Sequence, residues 1–387
     1  YDFSLVLGGP LYQLYRRAHL SGSALELLGR RVVIICLFAW LPPLLLSALE
    51  GNAWYGTVRV PFLLDVHAHA RFLVAMPLFI VAELVVHQRM RLMVRQFIAE
   101  GLVPESMRSK FDAALASAWR WRNSVWAEVL LLALVYGVGV LVIWRIRMAL
   151  SVATWYRVPA EGGLQPTLAG WWFLAISLPL FQFMLLRWYF RLFIWMRFLW
   201  QVSRIDLRLV PTHPDSAGGL GFLGTNTHAF ALLLLGQGAL LAGWIASRIF
   251  FENVSLLDFK IELLVAVILL LVFVLGPLLV FTPRLARTKR TGLREYASLA
   301  SRYVSEFDRK WLRGGAPAEE ALVGNPDIQS LADLGNSFER VRAMRLVPFS
   351  KETLFLLTAM ILLPVLPLTL TLIPLEEVLN RLLKVVF

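Results

Sequence analysis

Cysteine is nearly absent from this chain of 387 residues: Cys36 is the only one, and it lies within an apolar stretch. A single cysteine excludes an intrachain disulfide and a zinc site built on cysteine ligands. Charged residues are also scarce, at 17%, whereas hydrophobic residues make up 58%. So few polar side chains cannot cover a soluble globule of this length, which excludes an ordinary soluble domain.

Acidic residues are in the minority, because 26 Asp and Glu stand against 38 Lys and Arg, a formal net charge of +12. The basic residues gather at the ends of apolar stretches, which is typical of the cytoplasmic loops of membrane proteins. We therefore expect contact with a lipid bilayer and no nucleic acid. The chain has no GxxxxGK[ST] phosphate-binding motif, and no cofactor is expected.

Seven stretches are long and apolar enough to cross a bilayer, for which roughly 20 residues are needed. They are 32–49, 72–87, 125–144, 170–188, 230–249, 261–281 and 353–374. The sequence therefore predicts an all-α polytopic membrane protein with about seven transmembrane helices.

The distribution of basic residues predicts the orientation of these spans. The segments on the side of the N-terminus hold 27 Lys and Arg, against 8 on the opposite side. Because cytoplasmic loops carry the excess of Lys and Arg, we expect the N-terminus in the cytoplasm. We expect an integral protein of the bacterial inner (cytoplasmic) membrane.

The predicted spans divide the chain into three parts. Residues 1–283 hold a transmembrane bundle of six spans, with a cytoplasmic helix at 104–122. Residues 284–351 contain two amphipathic helical patterns joined by a Gly-Gly-Ala-Pro turn. They predict a cytoplasmic helical hairpin between spans six and seven, which could bind a cytoplasmic protein; the alternative is a pair of helices lying on lipid headgroups. Residues 352–387 hold the last span and an outer interfacial helix.

The run THPDSAGGLGFLGT, from Thr212 to Thr225, is the most specific motif outside the spans. Its glycines allow positive φ angles and the close approach of another group. The run could be a re-entrant or pore-lining segment, a phosphate-cradling loop, or a tight turn that packs two helices closely. Its candidate site residues are His213, Asp215, Gly218, Gly219, Gly221 and Gly224.

Ionisable side chains recur near the predicted inner ends of several spans. They are Glu83 and His87 in span two, Glu128 in span three, Arg187 and Arg191 in span four, and His228 before span five. A charge in hydrocarbon costs about 2.5–3.5 kcal/mol at mid-span, so such groups normally face a partner or a water-filled cavity. These residues either form ion pairs that hold the bundle together or line a cytoplasmic vestibule shared with the Gly-rich run.

A second motif, Asp65-Val-His67-Ala-His69, precedes span two on the predicted outer side. Imidazole and carboxylate groups are suitable ligands for zinc and similar ions. The three side chains share a face only in an extended segment, because residues i and i+2 diverge by about 200° in a helix. Asp65, His67 and His69 are therefore weak metal candidates, and a polar or protonation-sensitive patch is the alternative.

Together these features favour a channel or transporter for an ion or a small polar solute, assembled as a homo-oligomer. Its cytoplasmic vestibule would be lined by the Gly-rich residues 212–225. One alternative is a membrane-embedded enzyme that uses His213 and Asp215 on a lipid-linked or phosphorylated substrate. This alternative ranks lower because no nucleophile with an adjacent base is visible. The other alternative is a membrane scaffold or sensor.

Overall fold

The computed structural model describes residues 27–54, 58–140, 153–160 and 163–372. The helices in these ranges are α1 (Leu28–Leu49), α2 (Val66–Ala99), α3 (Arg108–Arg122), α4 (Val125–Gly139), α5 (Leu168–Ser203), α6 (Gly221–Glu252), α7 (Leu256–Leu312), α8 (Pro326–Ala343) and α9 (Lys351–Leu372). Strands β1 (Arg157–Ala160) and β2 (Gly163–Pro166) form an antiparallel hairpin.

Six of these helices are long and apolar enough to cross a membrane: α1, α2, α5, α6, α7 and α9. Helix α4 is apolar but shorter, and residues 141–152, which continue the predicted third span, lie outside the described residues. The architecture therefore fits an all-α membrane protein. The count of seven spans and their orientation stay predictions, and the predicted outer interfacial helix lies outside the described residues.

Short polar side chains define the starts of several helices. Ser124, Thr167, Asn325 and Ser350 each accept a hydrogen bond from a backbone N–H of the first turn. Such caps satisfy amides that have no partner within the helix. At the other end of α6, Asn253 adopts a left-handed conformation with φ 54° and ends the helix.

Helix α7 is longer than the sequence pattern predicts, because 57 residues form one helical run. A 3₁₀ turn at Gly276–Phe281 interrupts it, with Pro277 at its start, where the missing N–H costs little. The predicted sixth span and the first helix of the predicted hairpin are therefore continuous. The Lys289 Nζ of α7 donates to the Met344 carbonyl at 2.8 Å, and Tyr303 Oη donates to the Asp327 carbonyl of α8 at 3.0 Å.

Helix α2 lies in the main core and contacts α1, α5 and α6. Its side chains Phe72, Phe79 and Phe97 are fully buried. Small residues bring the neighbours close: Gly236 of α6 faces the Phe79 ring, and Gly238 faces the backbone of Ile361 in α9. Contacts of this kind are typical of helix packing in membranes.

Candidate functional site

A buried ionic network joins α1, α2 and α5. The Glu83 carboxylate accepts from two guanidinium groups, with Oε2 2.7 Å from Arg31 Nη2 and Oε1 2.7 Å from Arg191 Nη2. The exposed fractions of these side chains are 10%, 2% and 4%. Arg191 also lies 4.9 Å from the centroid of the Trp188 ring. Glu83 therefore bridges two helices, with both carboxylate oxygens used.

A second ion pair extends this network to α4. Arg187 lies one turn before Arg191 on α5, and its Nη2 is 3.7 Å from Glu128 Oε1. Arg187 also acts electrostatically on Glu83, so the two pairs are coupled. We call Arg31, Glu83, Glu128, Arg187 and Arg191 the charge cluster. Among these five side chains, three guanidinium groups stand against two carboxylates.

His87 lies one turn after Glu83 and is buried. Placing charges in such an interior costs several kcal/mol per ion, which close pairing offsets only with good geometry. Removing only one partner of such a close pair is strongly destabilising, so each pair depends on both of its members. Ion pairing between helices and a polar site for a solute, the two interpretations of the sequence, are both compatible with this arrangement.

The Gly-rich run forms a compact loop around the Asp215 carboxylate. Its Oδ1 accepts from the backbone amides of Ala217 at 2.7 Å and Gly219 at 3.2 Å, and Oδ2 accepts from Gly221 at 2.7 Å. Gly218 and Gly219 have φ of 65° and 97°, which glycine adopts without strain. The cradle of amides that could hold a phosphate is thus filled by a carboxylate of the same loop.

Hydrogen bonds also set the charge state of this loop. Partial burial alone would raise the pKa of Asp215, but the amides of Ala217, Gly221 and Gly219 outweigh it together with His213. The pKa of Asp215 is therefore below its usual value. His213 Nδ1 lies 2.8 Å from Asp215 Oδ1, so the imidazole contributes to the same cap.

The loop is packed between distant parts of the chain. Arg345 donates to two of its carbonyls, from its backbone N to Ser216 and from Nη2 to Asp215, both at 2.7 Å. Gly224 N donates to the Pro348 carbonyl at 3.0 Å, and a Cβ at this glycine would overlap Pro348 and Phe349. Gly219 similarly lies against Leu102. The loop therefore fixes the start of α6 against the segment that leads into α9.

The structure does not bring the loop into contact with the charge cluster. Phe222 packs on Phe97 with ring centroids 5.1 Å apart, and Phe97 lies 14 residues after Glu83 on α2. At 1.5 Å per residue this separates the loop from Glu83 by about 20 Å along the helix. His228 lies between the two levels, near Arg89. The structure therefore brings together Glu83, Glu128, Arg187 and Arg191, whereas His213 and Asp215 lie apart from them.

The metal candidates near the start of α2 have other partners. Asp65 caps the helix by accepting from Ala68 N at 3.0 Å and also accepts from Trp155 Nε1 at 2.9 Å. His67 Nε2 is 2.9 Å from Arg71 Nη2, and His69 Nδ1 accepts from Trp40 Nε1 at 3.0 Å. Because residues 66–75 are helical, His67 and His69 diverge. Within the described ranges no group of His, Cys, Asp and Glu could hold a metal ion.

Two arginines of these sites were missed from the sequence. Arg31 stands at the start of an apolar span, where a basic residue usually lies at the membrane surface. Its buried pairing with Glu83 depends on how α1 packs against α2, which no local pattern reveals. Arg345 lies in a polar segment far from the loop in sequence, and only the tertiary contact shows its role. Comparison with protein-family models, with curated proteins and with solved structures found no match to this chain.

Proposed function

We propose that the protein conducts or transports an ion or a small polar solute across the membrane. The observation that supports this is the charge cluster itself: five ionisable side chains from four helices, buried within a bundle of apolar helices. Ionisable residues inside membrane helices are rare, face the bundle interior or a water-filled cavity, and mark substrate and ion pathways. The three guanidinium groups among the five side chains favour an anion.

In this proposal the Gly-rich loop forms the wall of the cytoplasmic vestibule, and the charge cluster is the polar site deeper in the bundle. The internal cap by Asp215 keeps the loop rigid, and Arg345 links it to α9. A displacement of α9 would therefore also move the start of α6. The enzyme alternative has less support, because the Asp215 carboxylate is used by the amides of its own loop.

The pair Glu128 and Arg187 is the best one to test. Its nitrogen and oxygen are 3.7 Å apart, against 2.7 Å in the two pairs of Glu83, so it is the loosest ion pair of the cluster. A variant with Glu128→Gln and Arg187→Gln removes both charges of this pair together, so neither charge is left facing the neutral amide of the other. We expect it to remain folded while its flux of chloride, potassium or protons in reconstituted vesicles falls at least about tenfold. Chloride should be the ion most affected.

The matched control is Glu105→Gln with Arg108→Gln, which removes an exposed ion pair one turn apart. Its flux should equal that of the unmodified protein. If the Glu128 and Arg187 double variant keeps full flux, the cluster is not on the pathway. If unmodified protein moves none of the three ions, the proposal in this form is wrong.

A further inference from the structure

An arginine-rich cavity lies where α5 and α7 leave the apolar part of the bundle. Its volume is about 610 Å³, and its walls include Trp200, Ser203 and Arg204 of the α5 end with Arg284, Arg287 and Arg290 of α7. A site of this size suits a small ligand or a headgroup. The predicted orientation of the spans puts it on the cytoplasmic side. It shares no residue with the charge cluster.

Arg284 builds one wall of this cavity. Its Nη1 binds Asp206 Oδ1 at 2.9 Å, its Nε donates to the Ser203 carbonyl at 3.2 Å, and its Nη2 donates to the Arg204 carbonyl at 3.3 Å. This guanidinium therefore ties α7 to the end of α5, and Asp206 offsets its charge.

The other three arginines keep donors for a ligand. Arg204 lies 5.2 Å from the centroid of the Trp200 ring, and Arg290 Nε donates only to the Ala286 carbonyl, at 3.3 Å. Arg287, one turn before Arg290, is exposed and lines the same cavity. Three guanidinium groups thus face one exposed cavity, where planar donors match the oxygens of a phosphate.

An apolar stripe leads from the membrane to this cavity. Phe193, Met196 and Trp200 are 42%, 43% and 47% exposed, and their spacing of three and four places them on one face of α5. Tryptophan is enriched where hydrocarbon meets water. The cavity therefore combines a surface for an acyl chain with a cationic end, which is the arrangement that basic pockets between membrane helices present to acidic headgroups.

We propose that this cavity binds a phosphate ester at the membrane surface. Arg204, Arg287 and Arg290 hold the phosphate oxygens, and an attached acyl chain lies along the stripe of Phe193, Met196 and Trp200. Two sources carry this chemistry, an anionic phospholipid and a soluble phosphate. The stripe favours the lipid, because a soluble phosphate would make no use of it.

The test titrates purified protein in neutral detergent with dioleoyl phosphatidylglycerol, with phosphatidylcholine and with inorganic phosphate. Apparent affinity is read from the rise of the thermal midpoint. A variant with Arg287→Gln and Arg290→Gln should weaken phosphatidylglycerol binding about 30-fold, since each arginine near a membrane surface contributes about a factor of five. The control, Arg294→Gln with Arg302→Gln, removes the same charge from exposed positions of α7 outside the cavity.

A lipid site is supported if only phosphatidylglycerol stabilises the protein. This stabilisation should be lost in the Arg287 and Arg290 variant and kept in the Arg294 and Arg302 control. Competition by inorganic phosphate, lost in the same variant, supports a soluble phosphate ester instead. Equal stabilisation by phosphatidylcholine, or equal weakening by both double variants, overturns the proposal. Thermal midpoints without added lipid show whether each variant is folded, and binding to the unmodified protein should also weaken as NaCl rises.

Discussion

At the scale of single residues, Glu83 is the side chain whose loss should matter most. Glu83→Gln would remove the carboxylate charge that Arg31 and Arg191 both bind, and breaking a buried pair typically costs about 3–5 kcal/mol. We expect a clear fall in the free energy of unfolding, measured by chemical denaturation in detergent. Glu105→Gln is the control, since this carboxylate is 82% exposed and pairs with Arg108 at the surface. A cost as small as that of Glu105→Gln would mean that water reaches Glu83.

Asp215 leads to a prediction about pH. Its folded-state pKa is depressed, so its stabilising contribution is fully present above the unfolded-state pKa of about 3.9 and disappears as the pH falls through the folded-state value. His213 and Arg345 are the charged or titratable groups that contact it. At pH 7 Asp215→Asn should lose about 1.5–3 kcal/mol, because a neutral amide replaces a charged acceptor.

The difference between Asp215→Asn and the unmodified protein should narrow below about pH 4, where Asp215 begins to be protonated in the unfolded state. Thermal unfolding of both proteins at pH 7, 5 and 3.5 measures this. A difference that does not change with pH would show that Asp215 acts through packing alone.

The sequence identified Glu83 and Arg191 because a charged side chain within an apolar run normally faces a partner or a water-filled cavity. It did not identify Arg31 as the partner of Glu83 or Arg345 as a partner of the Gly-rich loop. Both limits have the same physical cause. Local patterns report which groups must find a partner, whereas the choice of partner depends on tertiary contacts between distant segments.

At the scale of helices, the contact between α6 and α9 depends on a missing side chain. A Cβ at Gly238 would overlap the backbone carbonyl of Ile361, which cannot move aside as a flexible side chain can. Gly238→Ala should therefore destabilise the protein by about 1–3 kcal/mol, the usual cost of overpacking. Unfolding in detergent provides the measurement.

Gly335→Ala is the matched control, because Gly335 lies within α8 with open space around it. Alanine there should be neutral or stabilise the helix by up to about 1 kcal/mol. If both substitutions have the same effect, the close contact at Gly238 is not a determinant of stability.

The hydrophobic runs located most of the candidate membrane helices, because an uninterrupted stretch of about 20 apolar residues is typical of a transmembrane helix. They underestimated the length of α2, whose polar second half continues the helix and buries Met90, Val94 and Phe97. They also left open whether the Asp65 motif was extended. The motif is helical because it is continuous with α2. Polar residues at every second position do not reveal that continuity.

At the scale of the whole molecule, oligomerisation and a cytoplasmic partner stay predictions. The orientation of the spans in the membrane can be tested through α7, because this helix is so long. Its 57 residues extend about 85 Å, roughly twice the thickness of a bilayer with its headgroups. The half that follows Phe281 therefore lies outside the hydrocarbon, and we call it the projecting half. The projecting half carries Arg284, Arg287 and Arg290 among many basic residues, so the positive-inside rule predicts that it lies in the cytoplasm.

Single engineered cysteines at the two ends of α7 test this prediction, because Cys36 is buried and gives little background. Glu252→Cys precedes the helix and Ser301→Cys lies on its projecting half, and both positions are exposed. In intact spheroplasts an impermeant maleimide should label position 252 at once and position 301 only after the membrane is permeabilised. The reverse pattern would invert the topology and would move the Gly-rich loop and the arginine-rich cavity to the outer face. Labelling of both positions in intact spheroplasts would mean that α7 does not cross the membrane.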